Sequence, residues 1–196
     1  MSFARIGFLT VIFATLGAIG HFAHAADVLP EVRVVSEVDL NRYAGKWYEI
    51  ASFPQRFQRG CTASTATYTL RQDGEIDVIN ECRKGGFEGQ QSRVKGRAWV
   101  VDPREPAKLR VRFFWPFSGA YWIIDLGADY EYAVVGHPDR DYLWILSRTP
   151  AMDEEVYQAI LKRIDEQGFD LSRLRRTPQP GGYTGEDAYE AARESQ

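Results

Sequence analysis

The stretch Lys108-Leu109-Arg110-Val111-Arg112-Phe113 decides the fold class of this chain. Its charged residues alternate with apolar ones, so the sequence period is two. A strand with this period covers a core with one face and meets water with the other. Leu109, Val111 and Phe113 should therefore face inward, and the stretch predicts a half-buried antiparallel β-strand.

Seven similar runs surround this strand between Lys46 and Arg148. Each is short, rich in β-branched or aromatic residues, and bounded by turn residues such as Gln72-Asp73-Gly74. We predict eight strands, at 46–53, 61–71, 75–82, 91–102, 107–114, 120–126, 130–136 and 141–148. Because most connections are of hairpin length, the predicted fold is all-β, an eight-stranded antiparallel up-and-down β-barrel.

The sequence after Arg148 changes to the period of a helix. Its apolar stripe predicts one C-terminal amphipathic α-helix packed on the outside of the barrel. The stripe consists of Val156, Tyr157, Ile160, Leu161 and Ile164. Residues 178–196 contain Pro-Gln-Pro-Gly-Gly and show no apolar periodicity, so this segment is predicted to be a disordered tail.

The first 25 residues differ from the rest of the chain. Arg5 is their only charged residue, an apolar run from Ile6 to Ile19 follows, and Ala23-His24-Ala25 has the small-x-small pattern of a signal-peptidase site. We predict a cleaved secretory signal peptide at 1–25, with an uncleaved anchor as the alternative, and a single domain at 26–177. No cysteine lies near residues 15–30, so the lipobox of an acylated lipoprotein is absent.

The charge balance excludes several classes of function. The chain has 24 Lys plus Arg against 27 Asp plus Glu, a formal net charge of −3. Nucleic-acid binding requires a clear basic excess, which is absent. Only His137 remains as a histidine after the predicted signal, which argues against a metal site, a haem site or a catalytic triad. We therefore predict no metal, no cofactor and no catalytic residues.

The only two cysteines are Cys61 and Cys82. In an oxidising compartment, two cysteines without others are more often paired than free, so we predict a disulfide. Closing a loop of this length stabilises a fold by roughly 3 kcal/mol on the chain-entropy model. A strict hairpin at Asp73-Gly74 leaves the two cysteines out of register, so the pairing requires a bulge or a flexible start of the second strand near Gly60.

The interior of an eight-stranded barrel can hold one small ligand when its lining is not all bulky. Strand parity puts small residues and a few polar aromatics on the inner wall, which suits an apolar guest with one polar end. The predicted pocket residues are Ser64, Ala66, Tyr68, Val78, Asn80, Tyr142 and Trp144. The alternative is a barrel filled by its own side chains.

The entrance is predicted at the loops 53–60, 83–90, 114–119 and 137–140. These loops are rich in cations, and we predict a head-group rim made of Arg56, Arg59, Lys84 and Arg140. A basic rim can hold a carboxylate or phosphate while an acyl chain fills the barrel. A merely solvated rim is the alternative. Trp115 and Phe117 flank a proline in the same region and suit a lid, a dimer contact or a membrane interface.

Four segments carry a resemblance to a known family. Asn41-Arg42-Tyr43-Ala44-Gly45-Lys46-Trp47-Tyr48-Glu49-Ile50 resembles the lipocalin G-x-W signature, and the stretch from Asp139 to Pro150 resembles the last-strand motif that ends in arginine. Thr65-Ala66-Thr67-Tyr68 and Asp77-Val78-Ile79-Asn80 resemble the second and third strands of bacterial lipocalins of the outer-membrane and apolipoprotein D-like branch. The resemblance runs from about Val34 to Thr177.

The resemblance implies roles for individual residues. Trp47 should lie across the closed end of the barrel with Arg148 stacked over its indole, and both are structural. Tyr68 and Trp144 occupy family pocket positions, in agreement with strand parity.

The resemblance also implies a function. We expect a non-enzymatic carrier or store of fatty acid, lysophospholipid or phospholipid in the periplasm of a bacterial cell envelope. The expected chain is a monomer or weak homodimer, with peripheral contact with the outer membrane as an option. The alternative is a lipocalin-fold enzyme that acts on a lipid or terpenoid guest, for example through a free thiol at Cys82.

Overall fold

The computed structural model describes residues 29–183. The predicted signal peptide at 1–25 and the tail after residue 183 lie outside the described residues. The strands are β1 (Gly45–Ser52), β2 (Cys61–Leu70), β3 (Ile76–Lys84), β4 (Gln90–Val100), β5 (Lys108–Phe114), β6 (Phe117–Leu126), β7 (Tyr132–Gly136), β8 (Leu143–Ser147) and β9 (Arg175–Arg176). The helices are α1 (Leu40–Tyr43) and α2 (Glu154–Asp165).

The first eight strands form a closed antiparallel barrel. Each strand pairs with the next along the chain, and β1 pairs with both β2 and β8, which closes the ring. The predicted eight-stranded up-and-down barrel is confirmed. A short ninth strand, β9, is added on β1 where Ala51 pairs with Arg176.

One predicted rim loop is shorter than expected. We expected a loop over 114–119, but β5 ends at Phe114 and β6 begins at Phe117, so Trp115 and Pro116 form the whole turn. The prediction was wrong because Phe117 and Ser118 lack the alternation of a strand. They nevertheless belong to β6, because Phe117 pairs with Phe114.

The apolar side chains form two cores, one on each side of the barrel wall. The inner core fills part of the barrel and includes Trp47, Tyr68 and Leu109. The outer core lies between the wall and α2, whose buried residues are Tyr157, Ile160 and Ile164. The helix therefore packs outside the barrel, as predicted.

The ends of α2 and its apolar stripe follow from local chemistry. Asp153 caps the helix by accepting from the main-chain N–H groups of Glu155 and Val156, and Gly168 follows its last turn with φ of +78°. Val156, which we placed on the stripe, is exposed. None of the helices described between residues 29 and 183 is long and apolar enough to cross a membrane.

The described chain stays packed beyond residue 177, where we predicted a disordered tail. Gln179 is 1% exposed, and its Nε2 donates to the main-chain oxygens of Glu49 at 2.9 Å and Ser64 at 2.8 Å. The pairing of β1 with β2 ends at Tyr48 and Thr65, so these carbonyls need other partners. The segment 178–183 supplies them, and the packed domain extends past its predicted boundary.

Candidate ligand-binding site

One end of the barrel is closed by Trp47 and Arg148. The indole is fully buried, and the Arg148 Cζ lies 3.7 Å from its ring centroid. The guanidinium also donates to the main-chain oxygens of Lys46 at 3.1 Å and Arg42 at 2.6 Å. This is the contact that the family resemblance implied. It ties α1, β1 and the end of β8 together.

Gly45 makes this closure possible. Its backbone angle φ is +100°, a conformation that residues other than glycine rarely adopt. A Cβ built there would lie 3.2 Å from Arg148 Nη1. The glycine of the G-x-W signature therefore leaves room for the guanidinium.

The floor of the site is a chain of three tyrosine hydroxyls. The hydroxyl oxygens of Tyr43 and Tyr121 are 2.7 Å apart, and Tyr121 donates to Tyr68 Oη at 2.9 Å. Burial raises the pKa of Tyr68 to about 12, and it raises the pKa values of Tyr43 and Tyr121 well above their usual range. All three are neutral phenols at physiological pH. The half of the barrel next to the closed end, the lower half, is thus filled by its own side chains, as the alternative prediction stated. The predicted pocket residue Tyr68 forms the floor above it.

The upper half of the barrel is lined by small inward residues. Ser64 and Ala66 share the inward face of β2 with Tyr68, and both are buried. On β4 the inward position is Gly96, where a Cβ would come within 2.5 Å of the Phe113 ring. This glycine lets an aromatic ring lie flat against the wall.

Several other inward residues of the upper half are only partly buried, because this end of the barrel opens to solvent. They are Asn80, Val94, Phe113 and Trp144. Val78, by contrast, is buried among the inner core residues close to Tyr68, with which it is paired across β2 and β3. The predicted pocket residues therefore span from the floor to the mouth.

Trp144 and Tyr142 form one aromatic wall of the mouth. Their rings stack with centroids 6.0 Å apart, and Trp144 Nε1 donates to Gln58 Oε1 at 3.2 Å. Tyr142 precedes β8 and is exposed, so it lies at the mouth rather than deep in the barrel.

Sequence reasoning missed a buried carboxylate, Glu49. Its side chain is inward, like that of Trp47, and it is 7% exposed. Oε1 accepts from Ser52 Oγ at 2.9 Å and Thr177 Oγ1 at 2.6 Å, and Oε2 accepts from Gln58 Nε2 at 2.7 Å. Within residues 29–183 it has no cationic partner. The sequence offered one indication of this: Glu49 lies two residues after Trp47 on the same strand, so both side chains point to the same face.

Three of the four cations predicted for the head-group rim lie at the mouth of the barrel. Arg56 and Arg59 are exposed on the loop between β1 and β2, and Lys84 Nζ donates to the Arg59 main-chain oxygen at 2.9 Å. None of these three cations forms an ion pair with the residues that the structure describes. They are therefore open to an external anion.

Arg140 does not belong to this rim, and its prediction is corrected. Its Nε donates to the main-chain oxygen of Gln167 at 2.6 Å, and Nη2 donates to that of Pro30. The guanidinium also lies over the Phe169 ring. Arg140 thus holds the end of α2 and the N-terminal segment against the outer wall.

Exposed aromatic side chains surround the mouth. Four of them have exposures between 67% and 82%, and we call them the aromatic rim: Phe57, Phe114, Trp115 and Phe117. Phe57 lies between β1 and β2, and the other three lie around the turn between β5 and β6. Because these two connections are half a turn apart in the ring of eight strands, the aromatic rim flanks the mouth on opposite sides.

The predicted disulfide is confirmed between Cys61 and Cys82, whose Cα atoms are 5.5 Å apart. The register of β2 with β3 shifts between Thr62 and Thr65, and Ala63 has φ of +51°. This is the bulge that the pairing required. Within the described part of the chain, no group of side chains has the composition of a metal site.

Comparisons with known proteins agree with this geometry. The family model of the lipocalin-like domain matches residues 38–179. The temperature-induced lipocalin-1 of Arabidopsis thaliana is 44% identical over 158 residues, which cover 76% of this chain and 83% of that protein. The outer membrane lipoprotein Blc of Escherichia coli is 46% identical over 153 residues, 76% of this chain and 84% of the relative.

One further sequence relative and one solved structure are similar to this chain. Bovine apolipoprotein D is 33% identical over 159 residues, covering 76% of this chain and 82% of the relative. The structure of insecticyanin from Manduca sexta aligns with a TM-score of 0.62 at 22% identity, and the alignment covers 81% of this chain and 94% of insecticyanin.

Proposed function

The chain belongs to the lipocalin family, and we propose that it binds and carries a long-chain lipid with an anionic head group in a bacterial cell envelope. The lipid classes that fit are fatty acid, lysophospholipid and phospholipid. The acyl chain lies in the upper half of the barrel, and the head group contacts the cations of the rim. We place the carrier in the periplasm, in keeping with relatives that are named outer membrane lipoproteins.

The observation that carries this proposal is the combination of small and partly buried inward side chains in the upper half of the barrel, which we call the chamber, with unpaired cations at its mouth. The lining from Ala66 to Trp144 offers apolar contact, and each Å² of apolar area removed from water contributes about 25 cal/mol. Arg56 and Arg59 supply the complementary charge. Part of the binding energy is lost to the immobilisation of the ligand, so micromolar affinity is a reasonable expectation.

The enzyme alternative loses its strongest candidate group. The thiol mechanism required a free nucleophile at Cys82, but both cysteines of the chain are joined in the disulfide. The three floor tyrosines are hydrogen-bonded to one another and neutral. We therefore favour binding without chemistry.

Trp144 tests whether the lipid enters the barrel. Trp144→Ala should weaken fatty-acid binding by about 1 to 3 kcal/mol, because 50 to 100 Å² of ligand contact is lost at about 25 cal/mol per Å². Titration followed by tryptophan fluorescence measures the affinity, and Trp144→Phe assigns the signal among the five tryptophans. Trp99→Phe, on the outer face of β4, should leave both signal and affinity unchanged. Unaltered affinity in Trp144→Ala contradicts the proposed site.

Native mass spectrometry of the protein from its own cells tests the cargo directly. A co-purified lipid mass identifies the class that the chamber holds in the cell. A protein that carries no lipid, and that binds none of the three proposed classes on titration, overturns the carrier proposal.

The rim cations test how the head group is held. Replacing both Arg56 and Arg59 by serine should lower the affinity for a fatty acid by about threefold to tenfold, since exposed charge contacts contribute modestly. The matching fatty alcohol should bind as before, because it presents no charge. The control is Arg93→Ser with Lys95→Ser, which removes the same charge from the outer wall of β4. An equal loss for acid and alcohol shows that the rim is only solvated.

We also propose that the aromatic rim docks the mouth on the surface of an anionic membrane. Four exposed aromatic side chains and unpaired cations lie at the one end through which a lipid must pass. Aromatic side chains favour the headgroup region, and cations are attracted to anionic lipids. A lid or a dimer contact does not need these cations.

Docking is tested by co-sedimentation with vesicles that contain anionic phospholipid. Trp115→Ser with Phe117→Ser should reduce the bound fraction about tenfold, because two aromatic side chains leave the interface. Val101→Ser is the control, since Val101 is also an exposed apolar residue, at 60%, but belongs to the closed end. Equal binding of both variants assigns the aromatic rim to a lid or to a dimer.

A further inference from the structure

Two polar atoms in the upper half of the barrel have no hydrogen-bond partner. They are Ser64 Oγ and Asn80 Oδ1, and both are buried within the described chain. By contrast, the floor hydroxyls, the Glu49 carboxylate and the Trp144 indole N–H all have hydrogen-bond partners. Buried polar groups in folded proteins are rarely left unpaired, so these two need an explanation.

The two unpaired atoms belong to one wall of the chamber. Asn80 is the register partner of Ala66, and Ser64 is two residues further along β2 on the same inward face. Glu49 borders them on β1, because Gln179 Nε2 bridges the main-chain oxygens of Glu49 and Ser64. We call Glu49, Ser64 and Asn80 the polar wall.

A plain hydrocarbon chain is a poor match for the polar wall. Packed against Ser64 and Asn80, it would leave both side chains unpaired, which is unfavourable in an apolar site. A carboxylate is also a poor match, because Glu49 is itself a carboxylate and, among the described residues, accepts only from neutral donors. Burial is the largest cause of the raised pKa of Tyr68, and the Glu49 carboxylate adds to it.

An uncharged hydroxyl is complementary to the polar wall. A hydroxyl both donates and accepts, so it can donate to Asn80 Oδ1 and accept from Ser64 Oγ–H. It brings no charge near Glu49. The pair of unpaired atoms therefore favours a guest that carries a hydroxyl at this depth.

The depth of the wall locates the hydroxyl on the guest. Asn80 lies four residues along β3 from the rim residue Lys84, which corresponds to roughly 13 Å at about 3.3 Å per residue. A head group held at the rim therefore places the polar wall beside the middle of an acyl chain. A hydroxyl next to the head group would remain near the mouth.

We propose that Ser64 and Asn80 form a specificity subsite for a mid-chain hydroxyl, and that the preferred cargo is a hydroxylated acyl chain. The inference rests on the proposed lipid-carrier function, with the head group at the rim. It adds an oxygenated chain as the chemical class of the cargo and two residues that select it.

Oleic and ricinoleic acid provide a matched test, because ricinoleic acid is oleic acid with one added mid-chain hydroxyl. The wild-type protein should bind ricinoleic acid about tenfold more tightly, since a site built to hydrogen-bond a hydroxyl discriminates against the analogue that lacks it. A fatty acid hydroxylated beside its carboxylate should show no such gain. Displacement of a fluorescent fatty acid measures all three affinities.

Two variants locate the effect. Leucine has a volume similar to that of asparagine but no polar atoms. Asn80→Leu should therefore bind ricinoleic and oleic acid with about equal affinity, while oleic acid binds at least as tightly as to the wild type. Ser64→Ala is a milder change that should halve or further reduce the preference, and it carries the test if Asn80→Leu does not fold. Thr67→Val, on the outward face of β2, is the matched control and should keep the wild-type preference.

The outcomes separate this inference from the function on which it rests. Equal binding of oleic and ricinoleic acid by the wild type overturns the subsite but leaves the lipid carrier intact. A preference that survives both Asn80→Leu and Ser64→Ala overturns the assignment to the polar wall. Failure of every fatty acid to bind overturns the carrier function for this ligand class.

Discussion

Arg148→Ala is expected to lower the free energy of unfolding by about 3 to 5 kcal/mol while leaving lipid affinity within about twofold of wild type. The guanidinium stacks on Trp47 and donates to main-chain oxygens of α1 and β1. Hydrogen bonds to a charged group contribute about 1.5 to 3 kcal/mol each, and their loss leaves the carbonyl oxygens of a sheltered site without these partners. Trp47→Ala should cost a similar amount through loss of a fully buried indole.

The measurement combines thermal unfolding with lipid titration of the folded variant. A loss of this size corresponds to a decrease in Tm of about 10 °C or more for a domain of this length. Arg112→Ala is the matched control, because Arg112 lies over the Trp99 ring at 5.5 Å on the outer wall and should contribute less than about 1 kcal/mol. A variant that keeps its stability but loses lipid binding shows that the two barrel ends are assigned the wrong way round.

The barrel could be predicted because its strands repeat a simple physical pattern. Leu109, Val111 and their counterparts on the other strands must alternate with polar residues wherever one face meets the core. All eight strands were located by this pattern, and their ends differ from the structure by a few residues. Strand ends are set by turns such as Trp115-Pro116, whose geometry leaves little trace in the alternation.

The polar interior was harder to predict. Parity placed Ser64, Asn80 and Trp144 on the inner wall, but it did not reveal Glu49, because a charged side chain at an inward position is normally excluded from a core. Its burial depends on Ser52, Gln58 and Thr177, which approach from three separate segments. The local sequence pattern does not predict contacts between segments that are so far apart in the chain.

The C-terminal segment shows the same limit. Its composition predicted disorder from residue 178, since it lacks apolar residues in any regular period. Gln179 is buried by hydrogen bonding instead, at the gap that opens where β1 and β2 separate. The prediction failed because it considered only whether the segment could bury apolar side chains. It did not consider that unpaired main-chain groups of β1 and β2 need hydrogen-bond partners.

Removing the disulfide is expected to lower the free energy of unfolding by about 3 kcal/mol, the second large effect. Cys61 and Cys82 are separated by 21 residues, and loop-closure entropy of the unfolded chain gives this magnitude. The variant is Cys61→Ala with Cys82→Ala, which leaves no thiol to react. Denaturant unfolding of this variant and of the wild type, each with and without a reducing agent, measures the difference.

The four curves together separate the disulfide from the substitutions themselves. Reductant should destabilise the wild type by as much as the double substitution does, and it should leave the variant unchanged. Because the bond joins β2 and β3 beside the bulge at Ala63, hydrogen exchange in the mouth half of β2 should accelerate more than exchange near Tyr68. Alkylation of both cysteines in the folded, unreduced protein contradicts the bond. Uniform acceleration along β2 shows instead that the bond stabilises the barrel as a whole and not its mouth.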